Sequence, residues 1–395
     1  MRRQRVHGTG IGASRRGARW VVPTLALLPF LSIPSAVSGQ SWLRDFVITA
    51  GLTGEAWSGD FSAIAVPEFD STESVKAGVG EWSARGVFSL LSGARHSLEA
   101  TLDGGIRQSA AQGFRMRNYA PREQSGRLTV TSRHLLGGGV ASAEATARSR
   151  RIIDHPPMPL YKTPGYDIYN VQAGYAKSVR AINVDVKVVG EQADYKPPPQ
   201  LNHLDLLDRN SVVVEAGGSR VFYLDGDSED YEDSRDYYWT FRLFGSFGRH
   251  SYPRQGDEVQ RVDHAMRLGA TFGLRTKQLE ISTTMAGTRS RSTSPRVEYN
   301  HGRLHVQATW VWDDTDLSLV GTLARKRYTQ PTQDALVAGE EADNASVLYA
   351  EVARSLGMRV NGAFRIGWRK VETNFSGAFY TRFGGGFTLS VRPWG

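Results

Sequence analysis

Hydrophobic and polar residues alternate one by one along most of the chain, and the alternation is cleanest between residues 358 and 391. Phe364 and Ile366 share one parity there, while Arg365 and Arg369 occupy the other. A period of two places successive side chains on opposite faces of an extended strand. The alternating runs are about 11 to 17 residues long, which exceeds the roughly 5–6 residues of a typical soluble strand. The pattern therefore predicts long β-strands rather than helices.

About sixteen such strands are predicted along the chain, with fourteen and eighteen left open. A tilted strand needs about 9–11 residues to cross a bilayer, and bacterial single-chain barrels have an even number of strands. Short connections, such as Gly137-Gly138 and Arg180-Ala181, alternate with long ones that hold the proline clusters at 156–159 and 197–199. The fold class predicted is all-β: a transmembrane antiparallel up-and-down β-barrel. The connection Asp225–Ser234 departs from this rule, because it is long where a short turn is expected.

A soluble β-sandwich, propeller or solenoid is the alternative interpretation of an all-β chain. Such folds use shorter strands at a spacing of about 8–12 residues, and the sequence has no repeat of the propeller or solenoid type. The mean hydropathy of −0.37 fits either interpretation, because only alternate residues of a membrane barrel meet lipid. The length of the strands favours the membrane barrel.

Residues 1–39 have the pattern of a secretory signal peptide. A basic segment precedes an apolar core from Trp20 to about Ile33, and small residues follow at 35–39. A membrane anchor is the alternative, but the apolar run is shorter than the roughly 20 residues that a spanning helix needs. Two regions are therefore predicted: the signal peptide at 1–39 and the barrel at 40–395.

Composition excludes several classes of function. The chain has no cysteine, so disulfides and thiolate metal sites are absent from its chemistry. The net charge of +8 is concentrated in six arginines of the first 20 residues, and the remainder is close to neutral. The high pI therefore does not indicate nucleic-acid binding. The chain also lacks a P-loop, an HExxH and a GxSxG motif, so neither an enzyme nor a cofactor is predicted.

The alternating pattern over residues 40–395 resembles Gram-negative outer-membrane β-barrels of the general porin kind. Phe387, Leu389 and Val391 hold the alternating apolar pattern that precedes the end of such chains, where the outer-membrane assembly machinery reads it. The resemblance implies insertion into outer-membrane lipid after export through a cleaved signal peptide. It also leaves a homotrimer open, although the sequence identifies no subunit interface.

The polar parity of the strands is rich in charge, and we expect it to line the lumen. A water-filled pore with mild anion preference follows if these basic side chains face water. Pairing of arginines with acids across strands, which would brace or plug the lumen, is the alternative. The predicted lining residues are Arg107, Arg133, Arg148, Arg242, Arg267, Arg359, Arg365, Arg382, Glu99, Asp103, Glu144 and Asp185.

An acidic cluster within the exceptional connection is the one candidate for cation binding. Several carboxylate oxygens suit a hard divalent cation, but Asp230 stands where an EF-hand loop needs glycine, and a solvated acidic turn is the favoured interpretation of the cluster. No metal site is therefore predicted. The cluster consists of Asp225, Asp227, Glu229 and Asp230.

These observations predict a porin-like channel for passive diffusion of small hydrophilic solutes through the bacterial outer membrane. A closed-lumen barrel with a structural, adhesive or enzymatic role at the cell surface is the alternative function. The sequence does not identify a particular solute.

Overall fold

Sixteen strands form one closed wall in the computed structural model, which describes residues 42–59, 75–112, 122–153, 165–196, 207–223, 237–255, 260–330, 345–372 and 379–393. The strands are β1 Leu43–Gly59, β2 Val75–Ser92, β3 His96–Gln112, β4 Arg122–Leu136, β5 Gly139–Ile153, β6 Gly165–Val179, β7 Ile182–Lys196, β8 Arg209–Tyr223, β9 Tyr238–Tyr252, β10 Arg261–Arg275, β11 Leu279–Ser292, β12 Tyr299–Trp312, β13 Thr315–Tyr328, β14 Ala345–Gly357, β15 Val360–Glu372 and β16 Phe379–Val391. The predicted signal peptide at 1–39 lies outside the described residues.

Each strand pairs antiparallel with the next along the chain, and β1 closes the barrel by pairing with β16. This seam runs from Ile48 opposite Val391 to Gly59 opposite Tyr380. The backbones approach closely there, because a Cβ built on Gly386 would lie 2.6 Å from the carbonyl oxygen of Leu52. The predicted antiparallel up-and-down barrel of sixteen strands is confirmed.

The strands on either side of the exceptional connection, β8 and β9, pair directly with each other. The two strands are neighbours in the wall, and their register runs from Asn210 opposite Ser251 to Tyr223 opposite Tyr238. The strand count therefore stands despite the long connection. The acidic cluster that begins at Asp225 lies outside the described residues.

Tight turns close several hairpins at one end of the barrel, which we call the short-turn end; the opposite end is the long-connection end. Gly137 and Gly138 connect β4 to β5 with φ values of +59° and +75°. Two-residue hairpins favour residues that tolerate positive φ, because this backbone twist matches that of the flanking strands. Arg180 and Asp313, in two further turns, also have positive φ, at 58° and 51°.

The apolar residues of the alternating pattern lie on the outer face of the wall. Leu52, Leu268 and Trp312 are 74%, 70% and 72% exposed, which in water would be an unfavourable apolar surface. Trp239 and Trp310 lie near the short-turn end of the same face, where aromatic girdles mark the edge of a lipid-facing band. Within the described ranges, no helix has the length and apolar character needed to span a bilayer.

Candidate functional site

Ion pairs that reach past an intervening strand identify the inner face of the wall. Arg242 of β9 lies 2.7 Å from Asp185 of β7, and Arg148 of β5 lies 3.4 Å from Glu191 of β7. Alternate strands are about 10 Å apart in a sheet, so such contacts are favoured on the concave face, where side chains converge. The parity opposite the exposed apolar residues therefore faces the lumen.

The wall thus separates an apolar exterior from a charged interior, with every strand edge paired. In lipid, backbone polar groups need partners within the protein, and a closed barrel provides them. This is the architecture of an outer-membrane β-barrel.

The predicted lining residues occupy inward positions on the strands, with one exception that lies in a turn. Arg359 precedes β15, and its Nη1 donates a hydrogen bond of 3.1 Å to the carbonyl oxygen of Pro393, so it lies at the short-turn rim. The inward positions are those of Arg107, Arg133, Arg148, Arg242, Arg267, Arg365, Arg382, Glu99, Asp103, Glu144 and Asp185. That they line an open pore stays a prediction.

Several predicted residues are brought together in ion pairs. Arg107 of β3 and Arg382 of β16 both reach Glu55 of β1, and the second distance is 3.7 Å. Arg365 lies 2.5 Å from Glu351 on the neighbouring strand. These pairs brace neighbouring strands of the wall.

The remaining acids have varied surroundings. Asp103 lies 3.6 Å from Arg85, and Glu99 lies 3.7 Å from Arg44. Glu144 instead accepts hydrogen bonds from Thr131 at 3.3 Å and Thr146 at 3.4 Å. The predicted lining set is therefore divided among several local groups.

A buried polar group near the long-connection end, which we call the upper belt, consists of inward residues of β8 to β11. Asp263 is 3% exposed and accepts hydrogen bonds from Nη2 of Arg261 at 2.7 Å and from Oγ of Ser292 at 2.6 Å. Nδ1 of His250 lies 2.8 Å from Oγ of Ser211. Buried charges are tolerated where they are paired and hydrogen-bonded, so the upper belt is built as a structural brace.

A second group of inward arginines, which we call the middle belt, lies between the upper belt and the short turns. Its members are exposed, and within the described parts of the chain none forms an ion pair. Nε of Arg127 donates to Oγ1 of Thr129 at 3.2 Å, and Arg267 lies 5.3 Å from the centroid of the Phe244 ring. The middle belt consists of Arg127, Arg133, Arg267 and Arg303.

A concavity of about 550 Å³ indents the inner wall beside Arg127. Arg85, Asp103 and Arg148 also line it, together with the ring of Tyr166. Arg127 stands directly opposite Arg148 in the register of β4 and β5, and like charges in such a position repel each other. Asp103 stands opposite Arg127 on its other side, in the register of β3 and β4, so the charges that line the concavity are partly balanced.

Sequence reasoning missed the acidic partners Glu55, Glu191 and Glu215. Glu215 lies 3.3 Å from Lys187 and 3.6 Å from Arg242. Each of these acids has the inward parity, so the sequence contained the signal that it faces the lumen. Its ion-pair partner depends on the register between strands, which the sequence does not show. Among the described residues, no group of three potential metal ligands is present.

Comparison with known proteins finds structural matches of low similarity and no family. No protein-family model matches the chain, and no curated protein is similar to it in sequence. The in-vitro folded OmpT of Vibrio cholerae matches with 10% identity and a TM-score of 0.41, over 89% of this chain and 99% of that one. OccD3 (OpdP) of Pseudomonas aeruginosa matches with 8% identity and a TM-score of 0.40, over 90% and 93%.

Proposed function

We propose that this barrel is an outer-membrane channel for passive diffusion of small hydrophilic solutes, with a mild preference for anions. The observation that carries the proposal is that the lumenal ion pairs join only strands that are close together in the wall. Within the described ranges, each ion pair that joins two strands links strands no more than two apart around the wall, as Arg242 and Asp185 do. Such pairs brace an arc of the wall without crossing the lumen.

The size of the barrel supports an aqueous path. Barrels of 16–18 strands generally leave a water-filled channel, whereas about eight strands leave an interior that side chains fill. Arg127, Arg133 and Arg267 are exposed on the inner face. Because basic side chains that line a pore favour anions, the middle belt supplies the preference. In this proposal the barrel has no catalytic role and needs no cofactor.

The proposal includes a location and partners. The chain would be exported through its signal peptide, cleaved near residue 39, and inserted by the outer-membrane assembly machinery, which would read the apolar alternation of β16. Outer-membrane lipid would then surround the apolar face. A homotrimer is consistent with the proposal and can be tested by cross-linking in the membrane.

Single-channel recording tests the proposal directly. Residues 40–395, refolded and shown to be folded by heat-modifiable gel mobility, would be inserted into a planar bilayer under a salt gradient. We expect steady open currents, with a reversal potential that shows higher permeability for anions than for cations. Absence of conductance from folded, inserted protein would contradict the channel function.

A closed-lumen barrel with a structural, adhesive or enzymatic surface role is the second candidate function. The burial of Asp263 and Arg261, at 3% and 5% exposure, favours it, because a packed polar group at one end narrows the lumen. The same recording separates the two functions, because a closed barrel is silent while remaining folded.

A further inference from the structure

Charged side chains also occur on the outer, lipid-facing parity near the long-connection end, and their arrangement differs around the wall. On β9, β11 and β13 they are all arginines, and every one of them is exposed. We call this group the outer basic patch. It consists of Arg249, Arg289, Arg291, Arg325 and Arg327.

The register of the strands places four of these five arginines in two adjoining rows. Arg291 stands opposite His264, which stands opposite Arg249, so one row crosses β9 to β11. Arg289 stands opposite Asn300, which stands opposite Arg327, so the next row crosses β11 to β13. Residues two apart on a strand are separated by about 7 Å, and alternate strands by about 10 Å. Flexible guanidinium groups on this grid can converge on one phosphate.

The patch begins where the apolar band of the wall ends. Arg289 stands opposite Met266, which is 61% exposed, and Arg325 follows two residues after Leu323, which is 64% exposed. Both apolar residues are on the outer parity, so the arginines lie at the depth where the hydrocarbon region gives way to lipid headgroups.

Among the described residues, no acid is paired with the patch. Within the part of the chain that the structure describes, none of its five arginines forms an ion pair. The outer face of β5 to β7 provides the contrast, because Arg151 lies 2.9 Å from Asp167 and Lys196 lies 3.9 Å from the same carboxylate. Among the described residues, the patch therefore differs from the arc of β5 to β7, where outer basic side chains are paired with acids.

We propose that the outer basic patch binds the phosphate of an anionic lipid headgroup in the leaflet at the long-connection end. Guanidinium groups match phosphate in geometry and charge, and basic clusters beside a membrane recognise anionic lipids. The apolar surface below the patch, including Met266 and Leu323, would contact the acyl chains of the same lipid. This site is on the outside of the wall, so it does not depend on the channel function.

Electron paramagnetic resonance with spin-labelled lipids tests the site on the refolded residues 40–395. The barrel would be reconstituted in phosphatidylcholine bilayers with a trace of labelled phosphatidylglycerol or labelled phosphatidylcholine, and the immobilised fraction of each label would be compared. We expect wild-type protein to prefer the phosphatidylglycerol label. The variant R289Q/R291Q/R325Q/R327Q should lose this preference by about fivefold, since each basic side chain contributes to binding at an anionic surface.

The variant R151Q/K196Q is the matched control on the paired arc and should keep the preference. Retention of the preference in the fourfold variant, or equal loss in the control, would overturn the proposal. Displacement of the label by millimolar inorganic phosphate would identify a free-anion site and would also overturn the lipid assignment. The double variants R289Q/R291Q and R325Q/R327Q replace the fourfold variant if it does not refold.

Discussion

The upper and middle belts lie on the same inner face, yet their arginines have opposite surroundings. Arg261 is 5% exposed and hydrogen-bonds Asp263, whereas Arg127 and Arg267 are exposed and have no ion pair in the described parts of the chain. A buried charge without a partner is strongly destabilising, while an exposed charge is solvated and gains little from one. Pairing thus separates the arginines that hold the wall from those that would face solutes in the proposed channel.

The largest expected effect comes from removing the acid of the upper belt. Asp263→Ala leaves Arg261 buried without that carboxylate, and breaking a buried pair costs about 3–5 kcal/mol. The free energy of unfolding, measured by urea titration of tryptophan fluorescence in lipid vesicles, should fall by this amount. Asp103→Ala is the control, because its pair with Arg85 is solvent-exposed and should contribute about 0–1 kcal/mol. Equal losses in unfolding free energy for the two variants would contradict the distinction between buried and exposed ion pairs.

A smaller effect is expected when the hydroxyl of Ser292 is removed. Ser292→Ala deletes the 2.6 Å hydrogen bond to Asp263 and leaves a buried acceptor less satisfied, which costs about 1–3 kcal/mol. Thr129→Val is the control, because its hydroxyl accepts from the exposed Arg127 at 3.2 Å, and its other partner, the Thr146 hydroxyl, keeps a hydrogen bond to Glu144. The same urea titration should show little change for it, and a larger loss from Thr129→Val would be evidence against the comparison.

Charge reversal in the middle belt should change selectivity with little effect on stability. The variant R127E/R267E should move the reversal potential toward cations, while the free energy of unfolding stays within about 0.5 kcal/mol, as for substitutions away from packed sites. Arg249→Glu is the control, because Arg249 is on the outer parity. Unchanged selectivity in the double variant would show that these arginines do not line the conducting path.

The smallest effect is expected from ionic strength alone. Raising salt from about 0.1 M to 1 M shortens the screening length from about 10 Å to 3 Å. At high salt the anion preference should decline, because the middle belt is exposed to the solvent ions. The free energy of unfolding should change little, because the ion pair of the upper belt is buried. Reversal potentials and urea midpoints at both salt concentrations check this. A preference that does not weaken at high salt would point to a selectivity element outside the middle belt.

Much of this architecture could be predicted from alternation alone. In a strand of a membrane barrel, alternate side chains contact lipid and must be apolar, while those between them face the lumen and can be polar. The strands and the inward position of residues such as Arg267 follow from that constraint. Parity does not reveal which charges meet, since Arg107 approaches Glu55 from two strands away and 52 residues along the chain. Nor does it reveal where a strand begins, and Arg359, which has the inward parity, lies in a turn because β15 starts at Val360.

The seam between β1 and β16 has a consequence for the order of folding. The other neighbouring strands are joined by hairpin connections, but Thr49 and Ser390 meet 2.9 Å apart across 341 residues of chain. Closing so long a loop is entropically costly and slow, and until it closes, β1 and β16 each present an unpaired edge that invites aggregation. A circular permutant that links the ends near residues 42 and 393 and opens at Gly137-Gly138 would keep the same wall. It would make the seam a local hairpin and move the slow closure to β4 and β5.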